Sequence, residues 1–144
     1  MSALTASTPR TNYGTVIPPS THSAGTNVVF FKGCLVIEKS DGYAYPGVTV
    51  TGARTLGICE CDLDMTGVTV GTKSVVVRPG TFGDFANSAG ADQIDFDDRF
   101  KTIYVVDDGT VALTDGGGTR SIAGVAYDIA DDGSSVVIQF EVIR

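Results

Sequence analysis

The sequence predicts an all-β fold: a compact barrel or sandwich of two similar β units, preceded by an extended N-terminal arm, with at most one short helical turn. Three observations carry this. The 144 residues are rich in Val, Thr, Ile, Tyr and Phe, with 18 glycines, no tryptophan, and few Leu or Ala in helical spacing. Apolar residues recur with a period of two in one segment after another. A pattern from the first half of the chain also returns in the second. The length and the 42% apolar content leave room for one domain with a real core.

Residues 1–27 read as the arm. They are rich in Ser and Thr, carry Pro9, Pro18 and Pro19, and hold little that builds a core. Within them, Thr11, Asn12, Tyr13, Val16 and Ile17 beside Pro18 and Pro19 form a small island fit to dock as a strand or polyproline segment. These seven are the candidate partner-binding residues.

The body, 28–144, opens with "VVFFKGCLVI" (28–37), too apolar to face water on both sides. "SDGY" makes a turn, and "ARTLGICECDL" (53–63) is the next strand. "DMTGVTVGT" (64–72) is a loop, followed by strands at 73–78 and 81–86. "DFDDRF" (95–100) predicts one helical turn, with Asp95 as N-cap and Asp98 at the third position, where the helix dipole favours an acid. "KTIYVVDDGTVAL" (101–113) is a hairpin about Asp108-Gly109. In "SSVVIQFEVI" (134–143), Val136, Ile138, Phe140 and Val142 share one face, and Gln139 and Glu141 point away. Core contributions are expected from Phe31, Leu35, Ile58, Val76, Tyr104, Val125, Val136 and Phe140.

"DGGGTRSIAGVAYDI" (115–129) invites a phosphate-loop reading, but no Lys follows Gly116, Gly117 and Gly118. The residues after them alternate as a strand, so the glycines read as a turn taking positive φ. This segment carries the echo. "FKGCLVI…DG…ARTLGI…SVVV" returns as "FKTIYVV…DG…TRSIAGV…SVVI", pairing Phe31-Lys32 with Phe100-Lys101, Arg54 with Arg120, and Gly57 with Gly124. Two units, 28–86 and 100–144, are expected to pack together and hide their edges.

Charge is divided. Up to residue 37 the only charged side chains are Arg10 and Lys32, and all 17 acids lie from Glu38 onward, against eight bases. The acidic body argues against nucleic-acid binding. No apolar run approaches a membrane span, and no signal-like N-terminus is present. Three cysteines, Cys34, Cys59 and Cys61, do not make a disulfide framework, so synthesis in a reducing cytoplasm is expected.

No catalytic constellation emerges. Cys59 and Cys61 fall on one face of a predicted strand but lack further ligands for a metal, and core packing is the expected role of the cysteines. "DLDMTGVTVGTK" (62–73) opens like a calcium loop and ends on Lys73 where a Glu is needed. The lone His22 lies in the arm, the wrong place for a preorganised base. Asp97-Asp98, Asp107-Asp108 and Asp131-Asp132 are expected to face solvent. Neither an enzyme activity, a metal nor a cofactor is expected.

Residues 81–138 resemble the small β-rich head decoration, or capsid cement, proteins of tailed bacteriophages. The features are a strand before an "NSAG" turn (Phe82–Gly90), a "KTIYVVDD" strand (Lys101–Asp108) and a "TRSIAGVAYD" strand (Thr119–Asp128), supported upstream by "GCLVIEKSDGYAYP". The resemblance implies a structural virion protein on the outer surface of a phage capsid, binding the major capsid protein and clamping neighbouring capsomers. A homotrimer with a contributing N-terminal arm is also implied. A β-sandwich carbohydrate- or receptor-binding module of a phage particle is the alternative, weakened by the absence of Trp.

Overall fold

The computed structural model describes residues 3–14 and 16–140. Among these, the secondary structure is nearly all β, in two units. The first holds β1 (Ser20–Ser23), β2 (Val29–Phe30), β3 (Leu35–Glu38), β4 (Ala44–Pro46), β5 (Arg54–Cys59), β6 (Leu63–Asp64) and β7 (Ser74–Arg78). The second holds β8 (Thr81–Asn87), β9 (Thr102–Val105), β10 (Thr110–Ala112), β11 (Ile122–Ile129) and β12 (Ser135–Gln139). Two single-turn 3-10 helices, Gly90–Asp92 and Phe96–Asp98, replace the one helical turn expected. The second is the turn read from "DFDDRF": the Asp98 carboxylate accepts the Asp95 N–H at 2.8 Å.

The echo is a true repeat of strand pairing. In the first unit the order is β1-β7-β5-β3-β4; in the second it is β8-β12-β11-β9-β10, and the ends join as a closed barrel. The register repeats residue by residue. Val36 faces Gly57 and Ile103 faces Gly124, each beside a bulge that skips one residue of the longer strand. Ile37 faces Tyr45 as Tyr104 faces Ala112, and Cys59 faces Val77 as Ala126 faces Ile138. Residues 35–59 thus fall on 102–126 without insertion.

This register corrects parts of the sequence alignment. Leu35 corresponds to Thr102 and Arg54 to Ser121, so the Phe-Lys and Arg pairings were displaced by a residue or two. The unit boundary also moves. β8 leads the second unit, and β1, placed by sequence in the arm, leads the first. The parallel contacts β8–β10 (Val111 facing Asn87) and Ala24 facing Ala44 are equivalent, so a single bridge closes the first unit where a short ladder closes the second.

Segment 28–37 is not one strand. It breaks at Gly33, whose φ of +87° suits glycine, and a Cβ there would lie 1.6 Å from the Thr8 carbonyl oxygen. The chain likewise bends after Cys59, which places Cys59 in the core and Cys61 in solvent and not on one face.

Two clusters of buried side chains fill the fold. Ala24, Phe30, Cys34, Val36, Ala44, Cys59, Met65, Val75 and Val77 line the first unit. The second cluster holds Phe82, Phe85, Ile94, Ile103, Val105, Val111, Ala126, Val136, Ile138 and Phe140, together with Leu35, Ile37 and Ile58 from the first unit's strands. The outward face of β3 and β5 is therefore the joint between units. Leu35, Ile58, Val136 and Phe140 are core as expected. Phe31, Val76, Tyr104 and Val125 are only half-buried, because the adjacent residues Val75, Val77, Ile103, Val105 and Ala126 take the inward face. A one-residue change of phase exchanges the faces of a strand. Glu141 and Val142 lie outside the described residues.

Candidate functional site

The arm is an extended strap laid across both units. Leu4 N–H donates to the Asp108 carboxylate at 2.8 Å, and Thr8 N–H donates to the Lys32 carbonyl at 2.6 Å. Further along, Asn12 bridges Phe82 in antiparallel fashion: Gly83 N–H donates to Thr11 O at 3.1 Å and Tyr13 N–H to Thr81 O at 2.8 Å. Those residues of β8 lie upstream of its pairing with β10, so the arm covers a length of strand edge that would otherwise be free.

The seven candidate residues stay together along the strap but face differently. Thr11 and Asn12 contribute mainly backbone, with Asn12 Oδ1 accepting the Gly14 N–H at 2.8 Å. Tyr13 lays its ring on Gly83, where a Cβ would be 2.6 Å from Cε2, and still remains 52% exposed. Val16 is 70% exposed. Ile17 is half-buried, and its carbonyl accepts Arg78 Nη1 at 2.6 Å. Pro18 and Pro19 are exposed and lead directly into β1.

Sequence reading missed Arg10. Its guanidinium lies 4.1 Å from the centre of the Phe85 ring, and Nε and Nη1 donate to the carbonyls of Gly33 and Asp84. Burial lowers its pKa from the ordinary arginine value. Beside it is a cavity of about 330 Å³, where the strap crosses the seam between units, lined by Arg10 and Asn12 of the arm, Lys32, Glu60, Arg78 and Phe82 among others. The signal was visible in the chain: Arg10 and Lys32 are the only charged side chains before Glu38.

Asp108 was expected in solvent and is buried, as is Asp98. Burial raises the Asp108 pKa, with Asp107 adding to the effect, while the Leu4 N–H and Arg10 act in the opposite direction. Asp98 is tied to Lys101 Nζ at 2.8 Å, and this bond holds its pKa below the usual carboxylate range. Asp95, Asp97 and Asp98 bring their carboxylates close together, but the arrangement serves the capping turn and the Lys101 pair. Within the first core, Cys34 stays protonated, its thiol pushed up by contact with Cys59 and by burial.

The triple-glycine segment is a surface turn. Gly116, Gly117 and Gly118 all have positive φ, Asp115 Oδ1 accepts the Gly117 N–H, and the Asp115 carbonyl accepts the N–H groups of Thr119 and Arg120. Its amides thus converge on the chain's own Asp115. Among the described residues, no helix is long and apolar enough to cross a membrane. No family model, curated protein or solved structure matches the chain.

Proposed function

We propose that this protein is a structural head decoration protein, which binds the major capsid protein on the outer surface of a phage capsid and cements neighbouring capsomers. The observation that carries the reading is the strap. Residues 3–13 are already laid along the body by backbone hydrogen bonds; they end on the exposed Tyr13, and the exposed Val16 follows. Ordering a free arm costs about 1–2 kcal/mol per residue of backbone entropy. A strap ordered before contact avoids most of that cost when it meets a partner. Arms presented together by a homotrimer would raise avidity by about 10²–10⁴. The resemblance of residues 81–138 to cement proteins supports the same reading.

The test is binding to undecorated capsid shells. Removing residues 2–13 keeps β1 and should weaken binding by ten-fold or more. Gly117→Ala/Gly118→Ala should bind like wild type. Equal binding by the arm deletion would reject the proposal.

One observation favours the second reading, a carbohydrate- or receptor-binding module. Phe100 and Tyr127, both exposed, stack edge-on at 6.4 Å, and Tyr127 and Tyr13 flank a groove of about 310 Å³ floored by Thr81, Gln139 and Phe140. Exposed rings beside amide and hydroxyl groups suit a sugar face. Saturable binding on a glycan array, lost in Tyr127→Ala, would favour it over cementing.

A further inference from the structure

We propose that the cavity under the strap is an oxyanion site, holding one carboxylate or phosphate group among Arg10, Lys32 and Arg78 and so fastening the arm to both units. The proposal rests on the arm being the functional element and adds the chemistry of what it engages.

The charge in this cavity runs against the rest of the chain. The protein carries a formal −7, yet three of its ten basic residues line this one space. The only acid in the lining is Glu60, already engaged by Arg78 at 2.8 Å and 3.4 Å. Lys32 and Arg10 form no ion pair among the described residues; Asp62 takes the Lys32 backbone N–H, and Asp84 offers Arg10 its carbonyl. Arg10 Nη2 is buried without a hydrogen-bond acceptor. A buried donor left unpaired is unfavourable, and the charges of Asp84 and Asp108 offset only part of what burial costs the Arg10 cation. An oxyanion in the cavity meets a net positive lining, three bases against one acid, and guanidinium and ammonium groups bind carboxylate and phosphate through charge-assisted hydrogen bonds.

Position gives the site its consequence. One wall is the arm (Arg10, Asn12), another the first unit (Lys32, Arg78), and a third is β8 of the second (Phe82). A bound oxyanion therefore bridges three parts of the chain. The space, about 330 Å³, has room for a phosphate or one acidic side chain. Both sources share the same chemistry: free phosphate, or a carboxylate presented by the shell.

Calorimetric titration of inorganic phosphate into the full chain, at ionic strength held constant with chloride, tests the first source. One saturable site is expected. Lys32→Ala, a change at an exposed side chain, should weaken it about ten-fold, the loss of one charge-assisted contact. Glu60→Gln should tighten it by removing the lining's negative charge, and Lys73→Ala, at the other end of β7, should leave it unchanged. Shell binding in phosphate-free buffer tests the second source, where Lys32→Ala should weaken binding of the otherwise intact chain. If wild type fails on shells while phosphate titrates as described, the cementing function is lost and the oxyanion site stands. If phosphate binds equally to Lys32→Ala, or if phosphate does not bind and Lys32→Ala has no effect on shells, the site is refuted.

Discussion

The same Asp-Gly turn occurs once in each unit, and its two copies have opposite electrostatics. Asp41-Gly42 joins β3 to β4, and Asp108-Gly109 joins β9 to β10 at the equivalent register. Asp41 is exposed; Tyr45 Oη and the Tyr43 N–H donate to its carboxylate and hold its pKa below the ordinary value. Asp108 is buried, and its pKa is raised. The backbone is repeated, but the arm covers only one of the two turns. The outward faces differ in the same sense. Leu35, Ile37 and Ile58 are buried in the joint, whereas their counterparts Thr102, Tyr104 and Val125 are exposed or half-buried. A repeated fold has been made asymmetric by what each copy packs against.

The largest effects should come from the cores, and they ask whether the units are energetically separate. Phe30→Ala in the first cluster and Phe85→Ala in the second should each cost about 3–5 kcal/mol. Because Leu35, Ile37 and Ile58 join the second core, either variant should still melt in one transition, with calorimetric and van't Hoff enthalpies equal. Two resolved transitions would show that the joint is weaker than its burial implies.

Next come the bulge glycines. A Cβ at Gly57 would lie 2.4 Å from the Arg78 carbonyl oxygen, and one at Gly124 would lie 2.5 Å from that of Gln139. Both clashes are with backbone of the neighbouring strand, which cannot rotate away. Gly57→Ala and Gly124→Ala should each cost about 2–4 kcal/mol. Near-equal losses in chemical denaturation would confirm mechanical equivalence, and a loss at one site alone would break it.

Much of this was legible in the sequence, and the limits are physical. Strand content and the repeat followed from period-two patterning and the Asp-Gly and Gly57/Gly124 signals. Which face of β7, β9 and β11 points inward did not, because Val75-Val76-Val77 and Tyr104-Val105 offer apolar residues to both faces and only the packing partner decides. Arg10 stands out in the sequence only as one of two charges before Glu38, and Asp108 only as part of an Asp-Gly turn. They become a site only when the strap brings residues 4 and 10 to 108 and 33, contacts between distant parts of the chain that no local pattern encodes.

The two turns also predict opposite pH behaviour. For Asp41, a folded pKa below the unfolded value means its stabilisation is present above the unfolded pKa and disappears as pH falls through the folded pKa. For Asp108 the folded pKa is raised, so its contribution is fully present below the unfolded pKa and is lost as pH rises through the folded one. Asp108→Asn keeps an oxygen for the Leu4 N–H and removes the buried charge. It should leave stability at pH 7 unchanged or higher by about 1 kcal/mol. Asp41→Asn should lower stability at pH 7 and flatten the loss on acidification. The check is denaturant midpoints for both variants between pH 3 and pH 7, and parallel curves would remove the distinction between the turns.

The smallest effect belongs to the glycine turn, and the comparison explains why. By register, Asp115–Gly118 is the counterpart of Val48–Thr51 in the first unit. There the segment is pressed against the second unit: Val48 bridges Asp107, Thr49 Oγ1 donates to Val106 O at 2.9 Å, and the Val50 carbonyl accepts the Ser121 hydroxyl. In the second unit no comparable bridge is made among the described residues, and the segment closes on itself as a bare turn. A Cβ on Gly117 or Gly118 would meet open space, so only the positive φ, +75° and +86°, resists substitution. Each Gly→Ala change should cost about 1 kcal/mol, without altering the arm. Thr49→Val, which keeps the shape but loses the hydrogen bond across the joint, should cost a similar amount and also weaken the coupling between units. Hydrogen exchange separates the two cases. Thr49→Val should lower protection in both units at the joint, and the glycine variants should change only residues 114–121. If the glycine variants instead loosen the arm at Thr11–Tyr13, the turn is coupled to the strap and the assignment of the free end is wrong.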